Sequence, residues 1–169
     1  MLTLDMIQDA KKVLSEVARV TPLFQSNVIN PDADVYIKCE NMQVTGSFKL
    51  RGAYYKTANL TDEEAKHGVI ACSAGNHAQG VALAAQKKGI KSVICMPAGA
   101  PLAKVEATKS YGAEVVLVPG VYDDAAAKAE ELQKELKKNR TKRRRDERNY
   151  ASKELSKDRQ EATNEMVNS

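Results

Sequence analysis

VIACSAGNHAQGVALAAQKKGIKSVICMP, residues 69–97, reads as strand, helix, strand. VIACSA (69–74) and SVICMP (92–97) are short, nearly continuous apolar runs rich in β-branched residues, the pattern of a strand buried on both faces. Between them the spacing predicts a helix from about Asn76 to Lys88 that closes on Gly89. Two strands joined through a helix make a βαβ unit, in which the strands lie parallel.

The alternation continues downstream. A helix is expected from Pro101, well suited to a first helical position, to a stop at Gly112. AEVVLVP (113–119) is a third strand, and a helix rich in Ala, Glu and Lys opens near Tyr122. Upstream, residues 3–18 read as an amphipathic helix capped by Thr3, Pro22 enforces an extended segment, and ADVYIKCEN alternates like a half-exposed strand. A helix spans about Ser47 to Asn59, and Thr61-x-x-Glu64 is a capping box for a short helix ending at Gly68. The fold class expected is α/β, an open parallel sheet with helices on both faces.

Composition bounds the rest. Of 169 residues, 43% are hydrophobic and 5% aromatic with no Trp, so any core is expected to be built mainly from Ala, Val, Leu and Ile. Cys39, Cys72 and Cys95 each sit in an apolar run, their number is odd and no C-x-x-C pair occurs. They are expected to be buried reduced thiols rather than disulfides or a metal site. The N-terminal MLTLDMIQDAKKVL carries acidic residues where a signal peptide needs an apolar core, and no stretch approaches the roughly 18 apolar residues of a membrane span. The expectation is a soluble cytoplasmic protein with no membrane contact. Charge is uneven: residues 1–136 hold 15 Lys/Arg against 16 Asp/Glu, and residues 137–169 hold 11 against 6.

Two stretches could carry chemistry. In NMQVTGSFKLRGAYYK (41–56), Lys49 follows a Thr-Gly-Ser turn and Phe48 on the first turn of a helix. A lysine amine becomes a nucleophile when desolvation or a positive field disfavours its ammonium, and a helix N-terminus with Arg51 nearby would supply that field. Phe48 could present a flat face to a planar ring. In SAGNHAQG (73–80), Ser73, Gly75 and the amides of Asn76 and His77 lie where a strand opens into a helix, able to donate to a carboxylate. Asn76 could reach a ring hydroxyl. No Lys-Ser or Lys-Thr follows the glycines, so this is not a P-loop. Alone, Lys49 reads as one more solvated lysine, the loop as a capped turn and His77 as a structural hydrogen-bonding residue.

Together, GSFKLRGA and SAGNHAQGVA resemble the threonine dehydratase (threonine ammonia-lyase) family, pyridoxal-phosphate enzymes of fold type II, the tryptophan-synthase β-like fold. The likeness extends through MLTLDMIQDAKKVL, TPL, KCEN, CMPAGAPLAKVEATKSYGAEVVL and YDDAAAKA, over residues 1–136. The resemblance implies that Lys49 is the catalytic residue, holding pyridoxal 5′-phosphate covalently and shuttling the substrate's α-proton. Phe48 is implied to pack on the ring and Asn76 to meet its hydroxyl. Ser73, Ala74, Gly75, Asn76 and His77 are implied to grip the substrate carboxylate. The implied substrates are L-threonine and L-serine, and the full-length form would be a homo-oligomer. Serine racemases, the alternative within the fold, have a serine at the position of Ala74 that reprotonates the opposite face; Ala74 has no proton to give.

The resemblance also implies a domain division. Residues 1–45 would be an N-terminal segment of the large cofactor domain, 46–136 a small α/β domain lacking its last strand, and 137–169 a basic tail outside the family pattern. A glycine-rich loop for the cofactor phosphate is expected downstream, yet no glycine follows Gly120. The expectation is a truncated, inactive N-terminal portion with apolar helix faces and a sheet edge uncovered. For the tail, three readings stand in order of preference: a non-native extension, a solvated charged helix, and a nucleic-acid patch at Lys142-Arg143-Arg144-Arg145. Asp146 and Glu147 follow that tract and Tyr150 alone could stack a base, which argues against nucleic acid. A non-catalytic interaction fragment with such a tail is the other class of function.

Overall fold

A computed structural model describes residues 2–136. Residues 1–129 form one compact unit. Its centre is a parallel sheet in the order β3 (Val69–Cys72), β4 (Ser92–Pro97), β5 (Glu114–Val118). The register sets Ala71 beside Ile94 and Ile94 beside Val115. α4 (Asn76–Lys87) connects β3 to β4, and α5 (Leu102–Ser110) connects β4 to β5. The βαβ reading of residues 69–97 holds, with β4 on the expected residues.

α4 is the helix on which the unit is assembled. It packs against α2 (Lys49–Ala58), α5, β3 and β4, and every residue from Ala78 to Ala85 is buried. Its small side chains explain this: Ala78, Ala82, Ala84 and Ala85 have no exposed surface, and neighbours can approach the helix backbone closely on all sides. In β4, Ile94, Cys95 and Met96 are likewise fully buried. The flanking strands differ. β3 is half-buried throughout and β5 is exposed at both Glu114 and Leu117, so the deepest burial in the sheet lies on the central strand.

The N-terminal region is looser. α1 (Leu4–Leu14) is capped by Thr3, whose hydroxyl accepts the Met6 amide at 3.3 Å, and it packs on α2. It ends four residues earlier than the sequence pattern suggested. β1 (Leu23–Gln25) and β2 (Tyr36–Lys38) pair antiparallel, both exposed. The strand expected over ADVYIKCEN stops at Lys38 because the chain then winds into a 3₁₀ turn, Glu40–Met42. The capping box forms as expected at α3 (Asp62–Ala65). Pro101 precedes α5 as its N-cap, with ψ at 127°, and helical geometry begins one residue later than expected. Cys95 is buried, but Cys39 and Cys72 are only half-buried, since one lies past the end of an exposed strand and the other at the open end of β3; all three are free thiols.

Apolar side chains stay uncovered on α1 and the hairpin: Leu4 is 67% exposed and Phe24 56%. A helix opens at 122, and residues 130–136 of the second unit are helical, with Lys134 3.9 Å from Glu130. The expectations for 137–169, including the Lys142–Arg145 tract, lie outside the described residues. Among the described residues, no helix is long and apolar enough to cross a membrane.

Candidate active site

Lys49 owes its place to the turn before it. Gly46 adopts φ +70°, a conformation that side-chain-bearing residues rarely take, and its amide closes the turn on the Gln43 carbonyl at 2.8 Å. Ser47 is buried and its hydroxyl accepts the Lys49 amide at 3.3 Å. α2 therefore begins at Lys49, and the fully buried Leu50 anchors its first turn. The Lys49 side chain is exposed, its ammonium 4.7 Å from the centroid of the Phe48 ring, itself 57% exposed. A cation over a ring face is a favourable contact.

The loop from Ser73 to His77 joins β3 to α4. Ser73 continues the sheet by donating its amide to the Cys95 carbonyl at 3.1 Å, and its hydroxyl accepts the Gly75 amide at 3.3 Å. The Ala78 amide donates to the Gly75 carbonyl at 3.1 Å. The amides of Asn76 and His77 come before that bond, at the positive end of α4, where a helix receives anions. Ser73, Ala74 and Gly75 are half-buried; Asn76 and His77 are exposed. The Asn76 side-chain oxygen accepts a hydrogen bond from Lys104 Nζ on α5 at 2.8 Å.

Gly80 ties the two stretches together. A Cβ at this position would lie 3.1 Å from both the carbonyl carbon and the oxygen of Lys49, and 3.2 Å from the Leu50 nitrogen. The start of α2 thus touches the backbone of α4 one turn beyond Asn76. Gly80, Lys104 and Glu40 were not singled out in the sequence. Gly80 did leave a signal: a glycine inside a helix costs about 1 kcal/mol relative to alanine, so its presence calls for a packing reason.

Two parts of the sequence argument need correction. Arg51 does not act as a second cation on Lys49. Its guanidinium forms a two-pronged pair with Glu40, Nε to Oε2 and the terminal nitrogen to Oε1, both at 2.8 Å, and the Thr21 hydroxyl adds a bond at 2.7 Å. Nor is the Lys49 amine desolvated by the described residues, because Phe48 shields one side and leaves the rest open. Phe48 and Arg51 also border an open groove of about 680 Å³ along α1, with Ile7 and Leu14, but neither Lys49 nor residues 73–77 line it. The groove and the candidate site share Phe48 alone.

The Glu40–Arg51 pair has a measurable consequence. The guanidinium lowers the Glu40 carboxyl from its ordinary 4.5 to about 2. A depressed folded value means stability that is complete above about pH 4.5 and lost as pH falls toward about 2. With Arg51 about a third exposed, solvent screening holds the contribution to about 2 kcal/mol. Glu40→Ala should lose that amount at pH 7, and its stability should vary less between pH 4.5 and 2. Denaturant titrations across that range, followed by circular dichroism, measure both effects.

An amine at one helix start, an aromatic face beside it and an anion-receptive helix start across a close contact define a candidate site for an aldehyde cofactor and a carboxylate substrate. The family model for pyridoxal-phosphate dependent enzymes matches residues 14–151, and the chain belongs to that family. The chain is 49% identical over 135 residues to an L-threonine ammonia-lyase of Thermotoga maritima, covering 79% of this chain and 34% of that protein. In three dimensions it resembles the processed form of threonine deaminase isoform 2 of Solanum lycopersicum, with a TM-score of 0.69 and 38% identity over 80% of this chain and 39% of the other. It also resembles maize serine racemase, with a TM-score of 0.74 and 34% identity over 79% of this chain and 41% of the other. The chain spans about a third of the length of the curated relatives it matches.

The residues present fit pyridoxal phosphate at its reactive end. Lys49 offers an accessible amine, Phe48 a ring face, and Asn76 a carboxamide whose oxygen is already bonded to Lys104. The amides that open α4 suit a carboxylate. A glycine-rich segment for the phosphate does not occur after Gly120.

Proposed function

We propose that this chain carries the cofactor-attaching and carboxylate-binding elements of a pyridoxal-phosphate-dependent L-threonine/L-serine ammonia-lyase. The reaction removes the Cα proton, expels the β-hydroxyl, and hydrolyses the product to 2-oxobutanoate or pyruvate plus ammonia. Pyridoxal phosphate, when bound, supplies the electron sink that acidifies the Cα–H bond. The single observation that carries the reading is the contact of the Lys49 carbonyl with Gly80, one turn into the helix whose first amides are those of Asn76 and His77.

The roles in this reading are those that the family resemblance implies. Lys49 attaches the cofactor through its amine and moves the α-proton. Phe48 lies against the ring and Asn76 donates to its hydroxyl oxygen. Ser73, Ala74, Gly75, Asn76 and His77 hold the substrate carboxylate, which faces the positive end of α4. A methyl group at position 74 leaves the opposite face of Cα without a proton donor, which supports elimination over racemisation.

Stereoselectivity tests the substrate. The full chain is incubated with pyridoxal phosphate and L-threonine, L-serine or D-threonine, reduced with borohydride, and mapped by peptide. L-Threonine and L-serine should lower the label on Lys49 more than D-threonine does, because free cofactor reacts with both enantiomers alike. Equal effects from the two enantiomers would overturn the substrate assignment.

A further inference from the structure

Lys104 was not among the residues the motifs single out, yet its ammonium lies 2.8 Å from the Asn76 side-chain oxygen. Its placement is rigid at the backbone. The Lys104 amide donates to the Pro101 carbonyl at 2.9 Å, its carbonyl accepts the Thr108 hydroxyl at 2.8 Å, and the next residue, Val105, is buried. The side chain itself is half-buried where α5 packs on α4.

Building on the Asn76 role proposed above, we infer that Lys104 is a positioning residue that orients the Asn76 carboxamide toward the cofactor. The chemistry of the pair dictates the orientation. An ammonium has three donors and no acceptor, so the Asn76 atom facing it must be the oxygen. The amide nitrogen is then turned away from Lys104, with both of its hydrogens available as donors. A pyridoxal ring presents an electron-rich oxygen that requires a donor, and a carboxamide free to rotate would offer its own oxygen part of the time. Lys104 removes that misorientation before the cofactor arrives, which is how a supporting residue on a rigid helix sharpens a site.

Two measurements on the full chain test this. Without cofactor, the side-chain amide resonance of Asn76 should move in Lys104→Met and return in Lys104→Arg, which restores a donor; Lys104→Leu, which also lacks a donor, replaces the Met variant if that fails to fold. An unmoved resonance would overturn the proposal. With limiting pyridoxal phosphate and borohydride, Asn76→Ala and Lys104→Met should each lower the Lys49 label about fivefold, the factor expected for one lost hydrogen bond. The double variant should fall no further, and Lys104→Arg should recover most of the label. Additive losses, or a silent Lys104→Met beside an effective Asn76→Ala, sink this proposal and leave the proposed function standing. A silent Asn76→Ala sinks the underlying role of Asn76 and this inference with it.

Discussion

Lys49→Ala is expected to remove all site-directed incorporation of pyridoxal phosphate. In the unaltered chain, borohydride trapping followed by peptide mapping should concentrate label on the peptide around Lys49. In the variant, label should drop to the background that any solvent-facing lysine carries. Exposure alone cannot produce such selectivity, because Lys56 is exposed on the same helix. The difference is electrostatic and geometric. Lys56 sits in the last turn of α2, at its negative end, whereas Lys49 opens the helix at its positive end, beside the Phe48 ring and against α4. Lys56→Ala should therefore leave the Lys49 label intact. Label spread evenly over lysines, unaffected by Lys49→Ala, would mean that the amine is not a cofactor site.

The second large effect is on stability. Ile94→Ala should destabilise the chain by about 2–5 kcal/mol, read as a shift in the midpoint of denaturant unfolding. Ile94 has no exposed surface and sits on the central strand, paired with Ala71 on one side and Val115 on the other. Truncation removes the methylene burial and leaves a void that the packed core around it cannot fully collapse to fill. Leu117→Ala, on the edge strand where the side chain is 47% exposed, should cost about 1 kcal/mol or less. Comparable losses at the two positions would contradict a core centred on β4.

Much of the architecture is readable in the sequence. β3, α4 and β4 were legible because each is specified within a dozen residues, by an apolar run or a helical stretch between turn residues. The Thr3 and Thr61 caps were legible for the same reason, since donor and acceptor lie three residues apart. The position of Lys49 at a helix start followed from the Gly46-Ser47 turn. Boundaries erred at local turns: β2 ends at Lys38 ahead of the 3₁₀ turn, and α5 begins one residue after Pro101.

The electrostatics of the site were not readable in this way. Arg51, two residues from Lys49, suggested a repulsive cation until Glu40, 11 residues away, was seen to neutralise it. Asn76 showed its type but not its orientation, which depends on Lys104 at a separation of 28. Local sequence thus determined which segments become strands and helices and which residue begins each helix, because short-range hydrogen bonding and apolar periodicity act within a turn or two. Only the tertiary structure decided which charge meets which, and that Gly80 brings the backbone of Lys49 against α4, because those contacts exist only after distant segments have packed.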